Sequence, residues 1–187
     1  MATISTADFK NGMGLKIDGK YYTIVEFQHV KPGKGGAFVR YKIKDLRDGR
    51  TIDQTCNAGS KFENVQLITK EMQYLYTDGD AFYFMDTETY DQIPVSDSYI
   101  GEKVKWLKEN DICQLLYADE ELLGVNPPMF IEVEVTETDP GFKGDTATNA
   151  TKPAVLETGA EIKVPLFIEE GEMVIVDTRT GEYLSRA

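Results

Sequence analysis

Between residues 31 and 36 the chain reads Lys31-Pro32-Gly33-Lys34-Gly35-Gly36, and a long run of β-branched and aromatic residues flanks this segment on each side. The runs cover 21–30 and 37–44. Their composition, with glycine and proline between them, predicts a long β-hairpin whose turn carries Lys34. Pro32 restricts the backbone on one side of this lysine, and the glycines leave its side chain uncrowded. A single cation held out in this way suits a narrow, negatively charged space, although many turn lysines are merely solvated.

Short strands separated by turn residues dominate the rest of the chain. Asp-Gly pairs at 18–19, 48–49 and 78–79 lie between apolar runs and predict further hairpins. The predicted strands cover about 14–17, 21–30, 38–45, 51–56, 66–76, 81–86, 111–118, 121–125, 129–138, 161–165, 173–177 and 182–185. One helix is predicted from the capping residue Ser96 to about Asn110. Its apolar positions recur at i, i+4 and i+7 and are Ile100, Val104 and Leu107. Many short strands with one helix predict an all-β protein of small barrels.

Two breaks divide the chain into three predicted domains, 1–65, 66–128 and 129–187. The first break precedes the strand that starts at Gln66, and the second is Asn126-Pro127-Pro128, which cannot continue a central strand. Cores of domains this small are limited, so the domains are expected to support one another. A stretch from about 139 to 153 lacks a regular pattern, and a loop of that length is usually functional or disordered.

The net charge of −12 is unevenly distributed along the 187 residues. Residues 1–65 carry 11 Lys and Arg against 7 Asp and Glu, whereas 66–128 carry 4 against 13 and 129–187 carry 5 against 12. One end therefore suits a polyanionic partner, while the acidic remainder limits non-specific binding.

Several classes of protein are disfavoured by what the sequence lacks. No stretch approaches the roughly 18 apolar residues that span a bilayer, and the first residues do not have the pattern of a signal peptide. A cytoplasmic protein without a membrane partner is therefore expected, with Cys56 and Cys113 reduced. His29 and two distant cysteines give no metal-ligand set, and no nucleophile-and-base arrangement is apparent. We expect no metal, no cofactor, no catalytic residue and no enzymatic activity.

Basic residues alternate along the strand that leaves the turn and should project from one face, opposite the apolar residues 39, 41 and 43. Together with the lysines of the turn they would form a cationic ridge, defined here as Lys31, Lys34, Arg40, Lys42 and Lys44. Such a ridge suits a phosphate backbone, although charged strand faces are often only solvated. Near the C-terminus, Tyr183 could stack on a base or ribose and Arg186 could pair with a phosphate.

The motifs of the chain, taken in order, resemble those of bacterial elongation factor P. They are the turn and its exit 31–38, Tyr74-Leu75-Tyr76, Phe84-Met85-Asp86, 138–147, 164–168 and 176–186. The resemblance implies an SH3/KOW-like barrel followed by two OB-fold barrels, arranged as an L that resembles tRNA. It also implies a monomeric translation factor that binds the 70S ribosome between the P and E sites, beside the peptidyl-tRNA. Such a factor stimulates peptide-bond formation and relieves stalling at consecutive prolines.

Functional residues follow from the resemblance position by position. Lys34, surrounded by Pro32, Gly33 and Gly35, matches the tip that reaches the CCA end of the P-site tRNA at the peptidyl-transferase centre. This tip residue is modified in many family members, so a lysine-modifying enzyme is a further expected partner. The residues that match contacts to the tRNA backbone are Lys31, Arg40, Lys42, Lys44, Tyr183 and Arg186. Those that match the loop approaching the E-site mRNA codon are Gly144, Asp145, Thr146 and Ala147.

The sequence departs from the family pattern at Thr148, where glycine is common. Two alternatives remain open. The first is a paralogous elongation-factor-P-like family, which fits less well because it has a different tip and lacks the Gly-Asp-Thr-Ala sequence. A generic OB/SH3-like RNA-binding module would have no role at the peptidyl-transferase centre.

Overall fold

The computed structural model describes residues 2–141 and 150–187, in which all regular structure is β-strand or 3-10 helix. The strands are β1 (Ala2–Ser5), β2 (Gly14–Ile17), β3 (Lys20–Val30), β4 (Phe38–Asp45), β5 (Thr51–Asn57), β6 (Lys61–Val65), β7 (Leu67–Thr77), β8 (Phe82–Asp86), β9 (Gln92–Val95), β10 (Ile112–Ala118), β11 (Glu121–Asn126), β12 (Phe130–Thr138), β13 (Thr151–Leu156), β14 (Glu161–Pro165), β15 (Met173–Asp177) and β16 (Glu182–Arg186). The 3-10 helices of these residues are Thr6–Asp8, Asp97–Tyr99 and Gly101–Trp106. The predicted all-β class is therefore confirmed.

The first sheet contains the predicted long hairpin. Its strand order is β1-β6-β2-β3-β4-β5. Asp18 and Gly19 have φ of 50° and 77° and form a two-residue turn between the paired residues Ile17 and Lys20. Two successive positive φ values match the right-handed twist of the flanking strands, which is why Asp-Gly suits this hairpin.

Alternation along β4 separates a core face from a solvent face. Val39 is fully buried, and Tyr41 and Ile43 are buried with it, whereas Arg40 and Lys44 are exposed. An aromatic cluster lies beneath the hairpin and centres on the buried Phe9. Its other rings are Phe27, Tyr41 and Phe62, with centroids 5.3–5.8 Å from that of Phe9. The inward face predicted for 39, 41 and 43 is confirmed.

Two five-stranded sheets make up most of the remaining structure. Their strand orders are β11-β10-β7-β8-β9 and β14-β13-β12-β15-β16. In the second of these, the edge strands β14 and β16 also contact each other, which gives a barrel-like closure. Its core is apolar and consists of Trp106, Ile131, Val133, Val135, Ala154, Leu156, Ala160, Ile162, Val164, Ile168, Val174 and Val176.

The chain folds into two compact units. One comprises Met1–Lys70 with Leu115–Val125, and the other comprises Glu71–Gln114 with Asn126–Ala187. The division into 1–65, 66–128 and 129–187 stays a prediction.

The predicted helix from Ser96 to Asn110 is wrong. Two short 3-10 helices occupy this region, and the second ends at Trp106 because Leu107 is extended, with φ −79° and ψ 124°. Gly101 has φ 59°, a left-handed conformation that a continuous right-handed helix does not admit. Ile100 and Leu107 are nevertheless buried, so the apolar spacing correctly indicated burial but not the type of helix.

Four strands were missed by the sequence patterns: β1, β6, β9 and β13. The irregular stretch predicted to reach 153 is shorter than expected, because β13 begins at Thr151 and includes Pro153. Pro153 lies one residue beyond the last pair that β13 forms with β12, Thr138↔Ala154. Its missing N–H therefore removes no bond from that ladder.

Three hairpin turns share one construction. In each, an aspartate at the end of a strand accepts the N–H of the residue two positions on, and its carbonyl accepts the N–H four positions on. The aspartates are Asp45, Asp86 and Asp177. The residue at the fourth position has a positive φ and is Gly49, Tyr90 or Gly181. Among these three turns, only the one that ends at Tyr90, with φ 63°, has a residue other than glycine at this position.

Candidate nucleic-acid interface

The turn of the long hairpin presents Lys34 to solvent. β3 and β4 pair up to Val30↔Phe38, so that 31–37 form the loop. Gly35 has φ 107°, which L side chains rarely adopt. In the part of the chain that the structure describes, Lys34 forms no ion pair or hydrogen bond, and its side chain is exposed. No residue in the described part of the chain therefore balances the positive charge of Lys34 at the end of the hairpin.

The stem of the hairpin is held by its own packing. A bulge between Ile24 and Glu26 shifts the register of β3 against β4. Beyond the bulge, Phe27 pairs with Tyr41, and its ring packs edge-to-face on Phe9 at 5.8 Å and on His29 at 5.7 Å. Bulges re-aim the side chains that follow them, and here Phe27, just beyond the bulge, packs against the core.

The cationic ridge projects outward as predicted, but its members differ in their surroundings. Lys42 is opposite Glu26 on β3 and Asp53 on β5, and its Nζ lies 2.8 Å from Glu26 Oε1. The hydrogen bond and the charge of Glu26, followed by the charge of Asp53, raise the pKa of Lys42 above its ordinary value. Much of the Lys42 charge is thus already balanced within the sheet.

Arg40 and Lys44 have neutral cross-strand neighbours. Arg40 pairs with Gln28 and Thr55, and its Cζ lies 5.6 Å from the ring centroid of Phe38. Lys44 pairs with Thr23 and Thr51. Lys31 is exposed beside the turn. These three residues and Lys34, more than Lys42, can supply net positive charge to an anionic partner.

At the C-terminus, Arg186 is fixed by two residues that sequence reasoning did not assign. Its Cζ lies 4.7 Å from the ring centroid of Phe167, and Nη2 donates to the Phe167 carbonyl oxygen at 3.2 Å. The same nitrogen lies 3.2 Å from Glu172 Oε1. Phe167 is 57% exposed, so an aromatic ring and a guanidinium are presented together. Phe167 and Arg186 are 19 positions apart in the sequence, so no local sequence pattern could have predicted their contact.

Tyr183 is half-buried and packs against the C-terminal core, so part of its ring already has a structural role. The predicted mRNA-facing residues Gly144, Asp145, Thr146 and Ala147, and the departure at Thr148, lie outside the described residues.

Within 2–141 and 150–187, no group of three or more His, Cys, Asp and Glu side chains could hold a metal ion. No helix of the same residues has the length and hydrophobicity that crossing a membrane requires.

Two solved structures share the fold of this chain. The first is described as eukaryotic translation initiation factor 5A from Methanococcus jannaschii, with a TM-score of 0.51 and 24% identity over 66% of this chain and 93% of that one. The second is a translation initiation factor eif-5a family protein from Naegleria fowleri, with a TM-score of 0.54 and 17% identity over 67% and 97%. These likenesses concern the fold alone.

Three domain families match the chain in succession. They are described as the elongation factor P (EF-P) KOW-like domain over 5–62, the elongation factor P (EF-P) OB domain over 67–125, and elongation factor P, C-terminal, over 131–186. A KOW-like domain followed by an OB domain and a closing C-terminal sheet confirms the predicted fold class, and these domains define a translation factor.

Curated relatives extend the match along nearly the whole chain. Elongation factor P of Acetivibrio thermocellus is 54% identical over 183 residues, which cover 98% of this chain and 99% of the relative. Elongation factor P of Ruminiclostridium cellulolyticum is 52% identical over 183 residues, covering 98% of each. This chain therefore belongs to the elongation factor P family, as its motifs predicted.

Proposed function

We propose that this translation factor binds the 70S ribosome between the P and E sites and stimulates peptide-bond formation when the nascent chain stalls at consecutive prolines. The observation that carries the proposal is the exposed Lys34, which forms no ion pair or hydrogen bond with the described residues, at the end of a hairpin whose stem packs on an aromatic core. Membership of the elongation factor P family along nearly the full chain supports it.

The contribution of the tip is one of orientation. Proline is conformationally restricted and favours extended geometries, which can hold the reacting groups apart. A cation and a backbone packed against the CCA end of the peptidyl-tRNA reduce the freedom of that end. Holding reactants in a productive geometry accelerates a reaction without any proton transfer by the helper. Lys34 is accordingly a charged positioning group, with Pro32, Gly33 and Gly35 shaping its approach.

The remaining assignments belong to the same proposal. The tRNA backbone is contacted by Lys31, Arg40, Lys42, Lys44, Tyr183 and Arg186, and an E-site codon is approached by the segment 144–147. The factor acts as a cytoplasmic monomer with three domains, 1–65, 66–128 and 129–187. It uses no catalytic residue of its own, and Lys34 is the position at which a lysine-modifying enzyme would act.

The test is rescue of a polyproline-stalled reporter in a purified translation system that lacks the endogenous factor. We expect Lys34→Ala to abolish rescue while leaving the fold intact, because its side chain is exposed and forms no hydrogen bond or ion pair with the described residues. Lys20→Ala is the matched control, since Lys20 is also an exposed hairpin lysine of the N-terminal unit. Equal rescue by both variants would refute the tip assignment.

A generic RNA-binding module would behave differently. It would bind free single-stranded RNA tightly and have no effect on dipeptide synthesis with proline substrates. The intact mass of the protein from its native host, with the tip peptide sequenced, reports the chemical state of Lys34.

A further inference from the structure

An exposed phenylalanine lies outside the buried core of the C-terminal sheet, in the turn that follows β14. Phe167 is 57% exposed, whereas its neighbour Ile168 is fully buried and belongs to the core cluster. The Ile168 N–H donates to the Pro165 carbonyl oxygen at 3.2 Å, which closes the turn. The packing of this turn therefore depends on Ile168 and does not require an aromatic ring at position 167.

The ring of Phe167 is one of three contacts that fix the guanidinium of Arg186. The 4.7 Å between Arg186 Cζ and the ring centroid is within the range of a cation–π contact. Nη2 makes both polar contacts, with the Phe167 carbonyl oxygen and with Glu172 Oε1, each at 3.2 Å. Glu172 is itself fixed, because its Oε2 accepts the Glu169 N–H at 2.8 Å. The ring, the carbonyl and the carboxylate together define the orientation of the guanidinium.

The end of β16 does not depend on these side-chain contacts. Arg186 pairs with Val174 across the ladder of β15 and β16, and the Ala187 N–H donates to the Met173 carbonyl oxygen at 2.9 Å. Main-chain hydrogen bonds therefore hold the strand end, and an exposed ion pair contributes little to stability. The effect of the three contacts is to fix the direction in which the charge points.

This orientation leaves part of the guanidinium available to a ligand. Among the described residues, Nε and Nη1 have no hydrogen-bond or ion-pair partner, and the Arg186 side chain is 53% exposed. Arginine stays charged at neutral pH, and its N–H groups suit phosphate oxygens. Residues 129–187 carry 12 Asp and Glu against 5 Lys and Arg, so the overall field of this region repels RNA. A phosphate contact here therefore depends on the local placement of one cation.

A second arginine, in the turn between β15 and β16, provides a comparison. Arg179 Cζ lies 5.7 Å from the ring centroid of Phe130, which is 50% exposed. Its Nε and Nη2 donate to the two carboxylate oxygens of Asp177, at 3.1 and 2.7 Å. These hydrogen bonds lower the pKa of Asp177 below its ordinary value. The edge of Arg179 that would form two parallel hydrogen bonds with a phosphate is thus occupied by its own carboxylate.

We propose that Phe167 is a positioning residue for RNA binding: its ring holds the Arg186 guanidinium so that Nε and Nη1 meet a phosphate of the P-site tRNA. This inference rests on the proposed function for its RNA partner. Phosphate contacts of this kind fix the register of a protein on RNA and do not read its sequence. The phosphate is bound by Arg186, and Phe167 acts through Arg186 alone.

The test is a double-mutant cycle on the affinity for 70S ribosomes that carry a tRNA in the P site and none in the E site. Phe167→Leu keeps an apolar side chain and the charge of Arg186 but removes the ring. We expect it to weaken binding about two- to fivefold, the effect of one cation–π contact at an exposed site. Arg186→Ala should weaken binding at least as much, and Phe167→Leu should then have no further effect.

Two further variants separate the ring from its bulk and from its exposure. Phe167→Tyr keeps an aromatic ring and should bind as the unaltered protein does. Phe130→Leu is the matched control, because it removes a similarly exposed ring beside an arginine whose hydrogen bonds are made to Asp177. It should leave the affinity unchanged.

NMR relaxation of the Arg186 Nε–H group measures the positioning in the free protein. Its order parameter, which reports motion on the picosecond to nanosecond timescale, should decrease in Phe167→Leu and stay the same in Phe130→Leu. An unchanged order parameter in Phe167→Leu would overturn the inference.

The binding measurements can overturn it in three further ways. Phe167→Leu could leave the affinity unchanged, or Phe167→Tyr could lose as much affinity as Phe167→Leu. Phe167→Leu could also cost the same with and without Arg186, which would mean that the ring acts independently of the arginine. Failure of the proposed function is distinguishable, because the unaltered protein would then not bind these ribosomes. That result removes the tRNA partner and overturns the inference as well, while the order parameters still show whether the ring holds the arginine.

Discussion

The aromatic cluster beneath the hairpin should determine how firmly the Lys34 tip is held. Phe9 is 4% exposed, and its ring meets those of Phe27, Tyr41 and Phe62. Truncation to alanine would cost about 3–5 kcal/mol, the range for large-to-small changes at buried phenylalanines. Phe9→Leu is the more informative variant, because it keeps most of the apolar volume and removes the ring–ring geometry.

The expected cost of Phe9→Leu is about 1.5 kcal/mol. Each aromatic pair contributes about 0.5–1.5 kcal/mol beyond its buried area, and three pairs that share one ring do not add fully. A loss of this size leaves the domain folded, since small domains have roughly 5–15 kcal/mol of stability. It should increase the open population of β3 and β4 about tenfold.

Hydrogen exchange of peptides from residues 20–45 measures this opening directly. Val25→Ala is the matched control, because Val25 is in the same hairpin but 41% exposed, and surface changes usually stay within about 0.5 kcal/mol. Exchange in Phe9→Leu no faster than in Val25→Ala would refute the idea that this cluster supports the stem.

Two further predictions concern turn strain and pH. Tyr90→Gly should stabilise the fold by up to about 1 kcal/mol, because it relieves a left-handed tyrosine, and a lower urea midpoint would contradict this. Burial raises the pKa of the Cys113 thiol to about 12, whereas an unfolded thiol titrates near 8.5. The unfolded state therefore releases a proton that the native state keeps, so the stability from this group is complete below about pH 8.5 and is lost as the pH rises toward 12. When the pH is raised from 8 to 10.5, the urea midpoint should decrease more for the unaltered protein than for Cys113→Ala. An equal decrease in both proteins would contradict a raised pKa of the Cys113 thiol.

Local chemistry explains why the hairpin and its tip could be predicted. Asp18-Gly19 specifies a turn from two residues, and alternation along β4 specifies its faces, so both follow from neighbours in the sequence. The helix prediction was wrong at Gly101, because apolar spacing indicates which residues are buried but cannot reveal a single residue with positive φ. The burial of Lys152, which is 7% exposed in β13, was not predicted, because a lysine in a polar stretch normally indicates an exposed loop.

Contacts across the sheet account for the rest of what the sequence did not reveal. The contact between Phe167 and Arg186 forms only in the folded sheet, where β14, which precedes Phe167, lies beside β16, which contains Arg186. The ion pair between Glu26 and Lys42 likewise depends on the pairing of neighbouring strands. Because of it, the charge of Lys42 is balanced within the sheet, which distinguishes Lys42 from the other four residues of the cationic ridge.

In the proposed function, Lys34 orients the peptidyl-tRNA and does not hold the factor on the ribosome. The most direct measurement is the single-turnover rate of peptide-bond formation with a peptidyl-tRNA ending in proline and prolyl-tRNA as acceptor, at increasing factor concentration. If Lys34 orients the peptidyl-tRNA, Lys34→Ala should lower the rate at saturating factor to the level without factor, while the concentration for half-maximal ribosome binding should be little changed. A Lys34→Ala factor that reaches the full rate at higher concentration would contradict it.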